Sequence, residues 1–249
     1  MISEPMTAPK GNGLTTALDI VISPADAFAR LRVVPTWGYA FLIAAVLGMV
    51  GAFLGSAAGE HMAIASVSAA MAKDTAAAAM TPEKRQEVMD QRIGLAKTFA
   101  KFTFVFIPVG LLVSALLQSV YLLIINAIVR GEGNFKKYWA LAINISIVSI
   151  GLGSLILGVI ELIRGPEAFN SQGDLFNAIP SLAWIVPGSA KFVHGMLVSF
   201  SVFGLWATGL FALGLIAIAR IKPAQAYIAA GIMLLFGAII GGVSSSFQG

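Results

Sequence analysis

The 249 residues are 58% hydrophobic and only 11% charged, with a mean hydropathy of +0.88, whereas a soluble domain carries roughly a quarter charged residues. The net charge of +4 is dispersed through short stretches instead of clustered on one face, so nucleic acid is not expected as a partner. The absence of cysteine excludes disulfides, thiolate catalysis and cysteine-ligated metal. These features together describe an all-α polytopic integral membrane protein.

Residues 1–36 read as a cytosolic amino-terminal segment. Acidic residues and prolines precede any long apolar run, unlike a secretory signal, and an uncleaved amino terminus is expected. Within "ISPADAFARL", Ser23 is placed to cap a helix, with Pro24 in its first turn and Asp26 at the third position. Ala25, Phe28 and Leu31 then share a side and Asp26 pairs with Arg30, giving an amphipathic helix suited to the membrane surface.

A hydrocarbon core of about 30 Å takes roughly 20 apolar helical residues to cross. Five segments qualify, at about 37–58, 102–129, 138–160, 196–219 and 226–243, and together residues 37–249 form the transmembrane domain. None of them contains Asp, Glu, Lys or Arg except at its ends. Of the two longer loops, 59–101 has a second helix start at Thr81, Pro82 and Glu83, and its charged stretch is expected to continue into the second span as a small helical cap. A flexible link at "AMAKDTAAAAM" is the alternative. Loop 161–195 carries "IPSLAWIVPGSAKF", which Pro180 and Pro187 make too short to cross; an interfacial or partly re-entrant piece is expected.

With the amino terminus inside, Lys and Arg divide evenly, eight to each side. Density breaks the tie. Arg130, Lys136 and Lys137, with Arg220 and Lys222, crowd two very short inner hairpins, and positive residues are retained in the cytoplasm. Trp37, Tyr39, Tyr138, Trp139 and Tyr227 begin the helices that enter from that side, as expected for interfacial rings. In "RGEGNFKKYW", Gly131 and Gly133 permit the turn and the basic pair holds it inside. Five crossings place the carboxyl terminus outside.

Intramembrane catalysis is usually marked by ionisable residues at depth, and the spans offer none. His61 and His194 lack the spacing and company of metal ligands, so no metal and no cofactor is expected. Polar residues of the second and third spans, chiefly Gln118, Asn126 and Asn144, either line a polar path gated at Pro108 or bond helix to helix; the second reading is favoured. Small residues recur at four-residue spacing, as in Gly51/Gly55, Ser154/Gly158 and Gly237/Gly241, a pattern that allows close backbone approach.

"SPADAFARL" ahead of a Trp, the hairpin "GEGNFKKYWALAI", the prolines of the outer loop and "GLWATGLFALGLIAIARIKPAQAY" resemble the Yip1 domain family over nearly the whole chain. The resemblance implies five transmembrane helices, a cytosolic amino terminus and no enzymatic activity. Eukaryotic relatives are associated with Rab GTPases, but this chain lacks their Asp-Leu-Tyr-Gly-Pro motif, and a Rab-type GTPase is not expected as a partner. The composition looks bacterial, which implies the inner membrane. The expected function is that of a non-enzymatic scaffold or organiser of membrane-protein or lipid partners, self-association included. The basic rim Arg130, Lys136, Lys137, Arg220 and Lys222 is its candidate contact surface. A channel or transporter component using the polar face around Gln118, Asn126 and Asn144 is the alternative.

Overall fold

A computed structural model describes residues 10–187 and 189–247, so the first nine residues of the amino-terminal segment and the last two of the tail lie outside the description. Apart from one isolated bridge between Ser181 and Ser201, the regular structure of the described residues is helical. The amino-terminal segment folds as two helices, α1 (Gly13–Ile22) and α2 (Pro24–Val33). Helix α1 was not expected. It starts where Asn12 Oδ1 accepts from the Thr15 amide at 2.9 Å.

The polar partners expected in α2 are rearranged. Ser23 Oγ donates to Asp26 at 2.8 Å and does not cap the backbone. Arg30 turns instead to α1, where its Nε donates to Thr16 Oγ1 at 3.0 Å and its guanidinium pairs with Asp19. The reason is burial: an exposed pair four residues apart contributes only about 0.3–0.5 kcal/mol, whereas a guanidinium taken from water needs a close partner. The buried face is Ala27, Phe28 and Leu31, with Ala25 exposed. It packs against the bundle described next, so this face of the hairpin joins the core.

The chain then forms a bent pair, α3 (Gly38–Leu54) and α4 (Ser56–Lys73), broken at Gly55 with an angle of 58° between them. A short α5 (Thr75–Ala78), capped by Asp74, turns the chain into α6 (Pro82–Phe102), which packs along α4. One 3-10 turn, Thr103–Phe106, leads on into α7 (Ile107–Val129), and the whole of Pro82–Val129 is a 48-residue helical run. The expected helical cap is therefore present as an α4–α6 hairpin, tied by Lys97–Glu60 at 3.4 Å and Arg92–Asp74 at 3.7 Å. Pro108 sits in the first turn of α7, directly after the 3-10 turn.

The third crossing is α8 (Phe135–Ser146), a π segment at Ile147–Leu152 and α9 (Gly153–Arg164) in one run. After α10 (Gln172–Phe176) and α11 (Lys191–Val198), the last two crossings are α12 (Val202–Ala219) and α13 (Pro223–Phe247). The fourth span begins six residues later than hydropathy suggested, because the apolar run is interrupted by caps. Ser201 Oγ accepts from Gly204 N at 3.2 Å, and the Val202 amide bonds to Pro180 O at 3.3 Å. Apolar counting does not register a serine that stops one helix and starts another.

The third crossing is the centre of the bundle. Half of its most apolar window is buried, against 17% for α7. The difference follows from neighbours: α8 touches α2, α3, α7 and α12, while α7 turns Leu117, Ile124 and Ile128 outward. With no water to satisfy backbone groups in hydrocarbon, such outward apolar faces suit lipid. Four helices are long and apolar enough to cross a membrane, and the number is five when the bent α3–α4 pair is counted as one span. The amino-terminal hairpin and the α7–α8 and α12–α13 connections share one end, here called proximal; the cap and loop 165–190 form the distal end.

Candidate functional site

The proximal end is built by locking two short loops together. Helix α7 ends at Arg130 and α12 at Arg220, both with left-handed backbone, φ 55° and 52°. That conformation costs a residue with Cβ roughly 1–2 kcal/mol and is usually left to glycine. The turn freedom expected of Gly131 and Gly133 thus falls on the arginines instead. The glycines answer a different need, close approach. A Cβ on Gly131 would stand 2.6 Å from Asn126 Oδ1 and 2.9 Å from Ile221; one on Gly133 would stand 2.1 Å from the Tyr138 hydroxyl.

Asn126 holds this arrangement. Its Oδ1 accepts from Tyr138 Oη at 2.6 Å and from the Gly133 amide at 3.0 Å, while its carbonyl accepts from Gly131 N at 3.1 Å. The Glu132 amide reaches across to Ala219 O at 2.8 Å, and Arg220 pairs with the Glu132 carboxylate at 3.2 Å. Asn134 then starts α8 by accepting from Lys137 N at 3.0 Å. Phe135 stacks on Trp139 at 5.9 Å, and Trp139 meets Trp37 edge-on at 6.0 Å.

Tyr138, expected as an interfacial anchor, is instead fully buried as the partner of Asn126. Tyr39 and Tyr227 remain outward, at 53% and 55% exposure. Of the expected basic rim, Arg130, Lys136 and Lys222 are exposed, and no acidic partner is recorded for them among the described residues. Lys137 donates to Glu132 O at 3.5 Å, and Arg220 is engaged by Glu132. The two loops hence present one surface carrying several cations, joined by one backbone bond and one ion pair.

The polar residues of the spans do not form one network. Gln118 donates to Ser114 on its own helix at 3.0 Å. Asn144 donates to Ala140 O at 2.7 Å and to Thr36 O at 2.9 Å, tying α8 to the entry of the first crossing, and its Oδ1 is buried without a partner among the described residues. A model of the Yip1 domain matches residues 18–245, from the middle of α1 to near the end of α13. The chain belongs to the Yip1 domain family. It is also 25% identical, over 239 residues, to a Bacillus subtilis (strain 168) protein named membrane protein YknW, covering 92% of this chain and 88% of that one. No solved structure matches it.

One ionisable residue escaped the sequence reading. The apolar run ends at Ile160, which puts Glu161 at the start of the expected loop, yet α9 continues to Arg164 and buries Glu161 to 8% exposure. The signal was present: Ser154, Gly158 and Glu161 fall at i, i+4 and i+7 on one helical face.

Proposed function

We propose that this Yip1-family protein is a non-enzymatic membrane scaffold whose proximal hairpins form a rigid basic contact surface for anionic lipid headgroups and membrane-protein partners. The observation that carries this reading is the locking of the two loops, through Glu132 N to Ala219 O and Arg220 to Glu132, beneath the exposed Arg130, Lys136 and Lys222. A topology signal needs positive charge but not a fixed surface. Here a tyrosine, an asparagine and two glycines are committed to holding one. Near an anionic leaflet each basic residue contributes about 1 kcal/mol, enough in combination to choose among neighbours. In this reading the proximal end faces the cytoplasm of a bacterial cell membrane. The engagement of Asn126 and Asn144 with backbone supports a packing role for them over a polar path.

The test is affinity capture of the tagged chain from its native membranes in mild detergent, beside an unrelated five-helix control. The variant Arg130→Gln, Lys136→Gln, Lys137→Gln, Lys222→Gln leaves Arg220 in place to keep the loops locked. The expected result is a stoichiometric partner or an anionic lipid retained by the natural chain and reduced several-fold in the variant. Equal recovery from both would remove the surface from the account.

A further inference from the structure

At the distal end, the bend between α3 and α4 opens a cavity of about 500 Å³, within the roughly 300–1,000 Å³ of small-molecule sites. Its walls come from α3, α4, α6, α9, α10 and residues 170–171, so it is made by the fold and not by one loop. Glu161 lines it, more than nine-tenths buried, with no hydrogen-bond or ion-pair partner among the described residues. The carboxylate lies against the hinge, so closely that a Cβ on Gly55 would collide with Oε2. No Lys or Arg is among the lining residues. The basic residues nearby are engaged elsewhere: Lys97 pairs with Glu60 at 3.4 Å and Arg164 lies over the Phe169 ring at 6.0 Å.

The remaining polar lining includes the side chains of Ser56, Ser154 and Gln172, which can donate or accept, and two hydroxyls whose protons are already committed. Ser66 Oγ donates its proton to Ala63 O at 2.8 Å and Thr103 Oγ1 to Phe99 O at 2.9 Å. Both hydroxyls therefore offer lone pairs to the cavity. A single buried carboxylate without a cationic partner, with acceptor hydroxyls in the same lining, calls for a guest with positive charge and several N–H donors, which is the inventory of an ammonium group. A divalent ion would want more anionic ligands, and no cluster of three or more His, Asp or Glu suited to a metal occurs among the described residues.

We propose that the distal cavity binds a primary ammonium group, with Glu161 as its counter-ion. The group comes either from an ethanolamine lipid headgroup or from a soluble amine. The assignment stands independently of the proximal surface.

The full-length protein, purified in amine-free buffer, is tested in two arms. In one, it is placed in nanodiscs of phosphatidylglycerol with a minor share of phosphatidylethanolamine, and retained lipid is counted by native mass spectrometry. In the other, labelled ethanolamine is titrated in detergent. The expected result is saturable one-to-one binding in one arm, which identifies the source, weakened about tenfold or more by Glu161→Gln, as loss of a charged partner dictates. Binding in neither arm, or binding to Glu161→Gln equal to the natural chain, would overturn it. A second measurement needs no variant: neutral N-acetylethanolamine should fail to compete with the bound ammonium, and equal competition would also overturn the assignment.

Discussion

Asn126 shows how much one polar side chain can decide at a helix end. Removing it strands a buried tyrosine hydroxyl and a loop amide together, and each unsatisfied buried group costs about 1–3 kcal/mol. Asn126→Leu is therefore predicted to lower the Tm of the detergent-solubilised protein clearly, while Gln118→Leu, which loses only a bond within its own helix, should leave it nearly unchanged. Thermal unfolding followed by tryptophan fluorescence compares the two directly. The polarity of Asn126, Gln118 and Asn144 was legible in the sequence, but their partners were not, because a partner is set by helix rotation. The hairpin glycines were legible as a turn; that Gly131 makes room for Ile221 depends on a neighbouring loop 88 residues away in the Glu132–Arg220 pairing, and that Gly133 makes room for Tyr138 depends on how the tyrosine folds back on its own hairpin.

Among the elements, the decisive contact is the crossing of α3 and α9. A Cβ on Gly51 would stand 2.2 Å from Ser154 O, and one on Gly158 would stand 2.0 Å from Gly51 O. Backbones in contact leave no room for a side chain, and apolar surface gains little from burial when lipid is the alternative, so tight packing carries the association. Gly158→Leu is predicted to destroy the folded, monodisperse peak in fluorescence-detected size exclusion. Gly237→Leu should preserve it, since nothing lies within 4 Å of a Cβ there. The four-residue spacing of small residues was visible for both sites; which spacing faces a neighbour was not. The same limit explains Glu161, whose place on the crossing face was readable only once α9 was known to run past Ile160. Hydropathy located the apolar crossings, but it missed α1 and the stop at Ser201, because caps and local hydrogen bonds end helices without changing the apolar count.

For the whole molecule, membrane placement follows from composition and apolar helix length, while orientation rests on charge density in the short loops. The absence of cysteine makes that orientation directly measurable. In intact cells, a membrane-impermeant maleimide is predicted to label Gln172→Cys in the distal loop at once, and Lys136→Cys only after the membrane is opened. Labelling in the reverse order would invert the molecule and place the basic surface outside.

The central claim is that the locked proximal hairpins are a contact surface. It is tested most directly by installing a photoreactive residue at Lys136 or Lys222 and irradiating cells, with Gly110 as a control where nothing lies within 4 Å. The account predicts a discrete adduct of reproducible mass from both hairpin positions and a different, diffuse lipid background from position 110. Identical products from all three positions, or none from either hairpin, would contradict it.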